Sequence, residues 1–195
     1  MYKDIFISYS SKDSEIVGKV VDVFKQNNIS YWFAPEQLIG KKHDEAIVPA
    51  IKNCKVFLIF LSENSRPRDG FITSEWVRDE LLTAREYKSF IQPIKLDKTV
   101  DYETNNLMFK GLPNYFDISY GELTNNLNIL KDLVCNLLEN DNYKEKEIVT
   151  LNFFESKSIK ILKEIETNLQ SGYFDIAESI LKNNELIYDY NKDYV

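Results

Sequence analysis

A parallel α/β sheet covered by helices on both faces is the fold this sequence predicts, and three observations predict it. Short apolar runs alternate with amphipathic stretches along the front of the chain. The run Val56–Leu61 is apolar throughout, as a central strand shielded on both sides must be. The stretches between the runs carry apolar residues three and four apart, the helical spacing. Strand–helix alternation of this kind forms a parallel sheet through right-handed crossovers.

Taken in order, Tyr2–Tyr9 reads as a strand, and Asp13–Asn27 as a helix with Ile16, Val20, Val23 and Phe24 at helical spacing. Ser11 or Asp13 is placed to cap that helix. Ile29–Phe33 is a second strand, followed by a helix over Asp44–Asn53 with Ile47, Ala50 and Ile51 on one face. After Val56–Leu61 comes a helix over Thr73–Lys88 whose buried stripe is Val77, Leu81 and Ala84. Phe90–Leu96 and Tyr115–Ile118 supply two more strands, and a helix follows from Glu122 to Leu138. The result is a flavodoxin-like, five-stranded parallel sheet over residues 1–142.

The polar stretch from Asn140 to Glu147 marks a boundary, and residues 143–195 read as a helical hairpin. Ile159, Leu162, Ile165 and Leu169 share a face, Ser171-Gly172 breaks the helix, and Ala177, Ile180, Leu181 and Leu186 resume it. The turn Gly172-Tyr173-Phe174-Asp175-Ile176-Ala177 resembles that of a tetratricopeptide hairpin. A single hairpin cannot bury its own apolar faces. It must dock on the α/β domain, pair with another copy, or begin an array. The stripe Leu127, Leu130, Val134 and Leu137 on the last α/β helix is one surface to receive it.

Composition limits the function classes. With 24 Lys+Arg against 31 Asp+Glu the formal net charge is −7, which argues against a nucleic-acid-binding surface. No apolar run approaches the ~18–20 residues that span a bilayer, and Met1 leads into a charged strand start, not a secretory signal. A cytoplasmic protein with two reduced cysteines, Cys54 and Cys135, is the expectation. The six glycines form neither a dinucleotide fingerprint nor a P-loop. The first strand ends in Ser8-Tyr9-Ser10, without the acidic cluster that holds magnesium in phosphoacceptor receivers. His43 is the lone histidine, so no zinc cluster and no Ser–His–Asp triad can be built, and no metal is expected.

In open parallel sheets ligands bind outside the carboxyl ends of the strands. That rule gathers Ser8–Ser11, Phe33–Lys42 and Ser62–Gly70 into one rim. Trp76 and Glu80, four residues apart on one helical face, follow the third of these loops. Hydroxyls, an aromatic ring and a carboxylate together suit a sugar and its leaving group. Taken singly, Trp76 fits core packing and Glu80 a solvated helix charge as well as a site. Phe33 and Tyr9 could stack on a flat base or pack into the sheet. Lys41 and Arg66 could meet a diphosphate or stay solvated.

The segments Asp4–Asp13 (Asp-Ile-Phe-Ile-Ser-Tyr-Ser-Ser-Lys-Asp), Tyr31–Gly40 and Trp76–Leu81, in this order and spacing, resemble the Toll/interleukin-1 receptor (TIR) domain, in particular its bacterial NAD-cleaving branch. Two departures stand out. Cys54 occupies a position where many relatives carry serine, and Arg66–Gly70 lengthens the loop before the Trp76 helix. The resemblance implies an NAD+ glycohydrolase or cyclase that releases nicotinamide and leaves ADP-ribose or a cyclic isomer. It implies Glu80 as catalytic residue, with Trp76, Ser8, Tyr9, Ser10, Phe33, Lys41 and Arg66 binding substrate. NAD+ is then substrate, and no cofactor is required. The resemblance further implies homotypic self-association through the 34–42 loop, where Leu38 and Ile39 stand in a segment expected to be exposed. Anti-phage defence, with an effector that senses the nucleotide product, is the biological setting it suggests. A non-catalytic adaptor acting through TIR–TIR contacts is the alternative.

Overall fold

The computed structural model describes residues 3–37, 43–65, 67, 68, 71–97, 112, 113, 115–119, 121–140 and 160–183. Five strands form one parallel sheet: β1 (Ile5–Ser8), β2 (Tyr31–Trp32), β3 (Val56–Leu61), β6 (Phe90–Lys95) and β7 (Phe116–Asp117), in the spatial order β2-β1-β3-β6-β7. The α/β expectation therefore holds. The helices are α1 (Ser14–Gln26), α2 (Ala34–Gln37), α3 (His43–Asn53), α4 (Glu75–Glu86) and α5 (Leu123–Leu138). The strand boundaries are tighter than periodicity predicted. Tyr31–Trp32 pairs with β1, whereas Ile29 and Phe33 flank the ladder.

Strand alternation divides the core into two layers. Ile5 and Ile7 of β1, with Val56, Leu58 and Phe60 of β3, pack towards α1 and α5. Phe6, with Phe57, Ile59 and Leu61, packs on the other face with Ile47 and Ile51 of α3 and Val77, Leu81 and Ala84 of α4. Stacked rings reinforce that face: Phe6 lies 4.5 Å from Trp32 and 5.3 Å from Phe57. On α1 the buried stripe is Val17, Val20, Val21 and Phe24, while Ile16 and Val23 sit at its margin. The helix is rotated from the predicted face so that a wider stripe meets the sheet.

Two features were not expected. The segment after Ser65 forms a two-stranded antiparallel ribbon, β4 (Pro67–Arg68) against β5 (Phe71–Ile72), pairing Pro67 with Ile72 and Arg68 with Phe71. The Asp69-Gly70 dipeptide between them is a hairpin signal that could have announced it. Secondly, neither Ser11 nor Asp13 caps α1 through its side chain. Ser11–Asp13 is a 3₁₀ turn, and the Asp13 carboxylate is taken by partners across the rim.

Beyond Asn140 the described residues form helix α6 (160–170), a turn, and α7 (Phe174–Asn183). Gly172 makes the break with φ +79°, and the Gly172 and Tyr173 amides donate to the carbonyls of Leu169 and Asn168. The boundary at residue 142/143 lies outside the described residues. The predicted face is shifted: Leu162 and Leu169 are exposed, while Ile161 and Ile165 are partly buried. Leu127, Leu130, Val134 and Leu137 join the core cluster of α1 and the sheet, to which no described hairpin residue belongs.

Candidate active site

The rim at the carboxyl ends of β1, β2 and β3 is built by the same alternation that divides the core. Ser8, two residues after Phe6, points to the α4 face, and its Oγ donates to Glu80 Oε2 at 2.6 Å. This bond joins residues 72 positions apart in sequence. Glu80 sits one turn after Trp76, and the flanking residues Val77, Leu81 and Ala84 anchor α4 in the core. Its side chain is therefore drawn part-way into the protein edge.

Burial makes the charged form of Glu80 costly. Desolvation pushes its carboxyl up to about 7, the Ser8 hydrogen bond pulls against that rise, and the neighbouring Asp79 charge adds to it. Tyr9, the residue after Ser8, turns to the opposite face and stacks on Phe33 at 5.4 Å and 22°. Its phenol is pushed up to about 12, chiefly by burial and secondarily by the Glu80 charge. The ring is a neutral donor near a carboxylate.

A second cluster ties two rim loops together. Asp13 accepts from Ser62 Oγ and from Asn64 Nδ2, both at 2.6 Å. Ser62 Oγ in turn receives the Asn64 amide at 3.0 Å, and the Ser62 amide reaches Ser65 Oγ at 3.0 Å. The Glu63 amide donates to Asp97 at 2.7 Å, linking the same loop to the end of β6. Sequence reading missed this network. Asp13 looked like a helix cap, and only the fold brings residues 49 and 51 positions away within reach.

The residues singled out from sequence fall into three groups. Ser8, Tyr9 and Glu80 converge, through a hydrogen bond and a charge effect. Ser10 and Phe33 lie at the same rim, but both are buried, and a face of Phe33 is occupied by Tyr9. Trp76 is 58% exposed at the start of α4. Lys41, Arg66, Leu38 and Ile39 lie outside the described residues. Among the described residues no three His, Cys, Asp or Glu side chains converge in a metal-holding group, and Cys54 and Cys135 are not joined in a disulfide. No described helix is long and apolar enough to cross a membrane.

The sequence model of the TIR domain family matches residues 5–131, well over half of the chain. The chain belongs to the TIR domain family. A Cytobacillus dafuensis protein named as a candidate cyclic ADP-D-ribose synthase is 28% identical to it over 114 residues, 54% of this chain and 28% of the relative. The chain thus spans little more than a quarter of that relative's length. The TIR domains of the activated Roq1 resistosome superpose with a TM-score of 0.51 at 18% identity, over 67% of this chain and 99% of theirs. The TIR domain of a Toll-related receptor from Hydra magnipapillata gives 0.44 at 18% identity, over 59% of this chain and 83% of that one. The Roq1 likeness agrees with the TIR fold.

Proposed function

We propose that this TIR domain cleaves the nicotinamide–ribose bond of NAD+ with Glu80 as its catalytic carboxylate. The observation that carries the reading is the Glu80 carboxylate held at the sheet's carboxyl rim by Ser8, at the end of a Trp76-x-x-x-Glu80 pattern. Heterolysis sends the bonding electron pair to the nicotinamide nitrogen, which leaves neutral, and charge develops on an oxocarbenium-like ribose. A carboxylate beside that ribose stabilises the charge and hydrogen-bonds its hydroxyls. Because the leaving group is good, no general acid is needed. The cation is then captured by water, giving ADP-ribose, or by a nitrogen of the adenine ring, giving a cyclic isomer.

The Cytobacillus relative's name supports the cyclic outcome; a signalling role in anti-phage defence, through an effector that senses the product, is part of the same proposal. Self-association through the 34–42 loop belongs to the same reading and predicts specific activity that rises with protein concentration. An adaptor would gain nothing from a partly buried carboxylate, whose ionisation costs free energy.

The test is incubation of the purified chain with NAD+ and chromatography of the products. We expect nicotinamide release, and a fall of about 10²–10³ in rate for Glu80→Gln, the loss typical of one electrostatic stabiliser. Glu75→Gln and Asp79→Asn should be mild. No nicotinamide from a folded chain over a wide concentration range would favour the adaptor.

A further inference from the structure

We propose that Ser8 is the positioning residue of Glu80: it touches no substrate, and instead locks one carboxylate oxygen so that the other faces the reacting ribose. The proposal rests on the reading of Glu80 given above. It replaces the expectation that Ser8 binds substrate directly.

Three observations carry it. Ser8 is fully buried, so its hydroxyl cannot meet a ligand in the rim unless the strand end moves. Movement is opposed by the ladder, because Ser8 is in register with Ile59 on the central strand β3. The single hydroxyl proton of Ser8 is already committed, in a bond of 2.6 Å to Glu80 Oε2. That length is typical of an O–H donor meeting a carboxylate. Glu80 Oε1 accepts no hydrogen bond among the described residues, so the two oxygens are inequivalent: Oε2 is held and Oε1 is available.

A hydroxyl donor favours the ionised carboxylate over the protonated acid, and so opposes the effect of burial. The other titratable group acting on the carboxyl is Asp79 beside it on α4, while Tyr9 at the end of β1 feels the Glu80 charge. Both are present whether or not Ser8 keeps its hydroxyl. Removing that hydroxyl therefore has a signed consequence. The Glu80 titration moves upward, a smaller fraction of the enzyme is ionised near neutral pH, and the ionised fraction loses its fixed rotamer.

The experiment uses the full chain with glutamate labelled at the carboxyl carbon, and the Glu80 resonance is assigned by its disappearance in Glu80→Gln. For Ser8→Ala we expect the Glu80 midpoint to rise by about one unit, since a hydrogen bond to a charged group is worth about a tenfold or larger change in equilibrium. The acid limb of kcat should rise with it. At neutral pH kcat should fall about tenfold while KM stays within about twofold. Ser8→Thr, which keeps the hydroxyl, should restore part of both, and Ser8→Cys, with its weak donor, should fall between.

An unmoved Glu80 midpoint in folded Ser8→Ala would overturn the proposal. So would a raised KM with unchanged kcat, which would make Ser8 a substrate contact. Should Ser8→Ala fail to fold, the graded shift across Ser8→Cys and Ser8→Thr decides. The titration needs no turnover, so failure of NAD+ cleavage in the parent chain would sink the function while the resonance still tested Ser8.

Discussion

Glu80 sits where ionisation is costly, and that has a consequence for stability as well as for chemistry. Its folded-state carboxyl titrates at about 7, against an ordinary value of 4.5. Between those values the folded chain holds a proton that the unfolded chain has released, so stability falls as pH rises through the window. The cost is complete only above the folded value, and is on the order of 3 kcal/mol before solvent screening reduces it. Glu80→Gln should therefore melt higher than the parent at about pH 8 and close to it at about pH 4.5, read by thermal unfolding. Equal melting at both would show that the site is better solvated than its geometry suggests. Activity should run the other way, rising with pH through about 7 as the carboxylate forms. Such opposition between stability and function is common at active sites.

At the scale of elements, the rim depends on loops fastened to one another and not only to their own strands. Asp13 holds the β1–α1 connection to the loop after β3 through Ser62 and Asn64. Asp13→Ala would leave buried donors unsatisfied and should cost about 2–4 kcal/mol. Asp13→Asn keeps one acceptor and should cost about half as much. Because Ser62 and Asn64 act through the same carboxylate, Ser62→Ala added to Asp13→Ala should cost clearly less than the sum of the two. Chemical denaturation of the four proteins checks this, and strict additivity would argue that the network is not cooperative. Across the sheet, the buried Lys95–Asp117 pair at 3.2 Å joins β6 to β7 at the same edge. The rim is thus braced on both sides of β3.

For the whole molecule, the described hairpin residues belong to neither core cluster of the α/β domain. The α5 stripe that could have received it is filled by α1 and the sheet. Ending the chain after Asn140 should therefore leave the melting temperature of the α/β domain unchanged within a few degrees, and should leave nicotinamide release per folded molecule intact. Loss of the cooperative transition in that truncation would show that residues beyond Asn140 complete the core. The hairpin itself keeps Leu162, Leu169, Tyr173, Phe174, Ile176 and Leu181 exposed. It makes no described contribution to the Ser8–Glu80 site.

Periodicity was enough to determine the five strands of the parallel sheet, the helices α1, α3, α4 and α5 between and after them, the stripes of α3 and α4, and the all-apolar β3, because those signals are local. A residue's face follows from its position modulo two in a strand or 3.6 in a helix. The Trp76/Glu80 pair was legible for the same reason, with the family resemblance selecting Glu80 from its acidic neighbours Glu75 and Asp79. What only the tertiary structure decided is non-local. Ser8 meets Glu80 across 72 residues, and Asp13 abandons its helix cap for donors 49 and 51 residues away. Local spacing cannot foresee such exchanges. A short polar side chain has several nearly equivalent partners nearby, and the buried, desolvated partner wins only once the sheet has brought it within hydrogen-bond range.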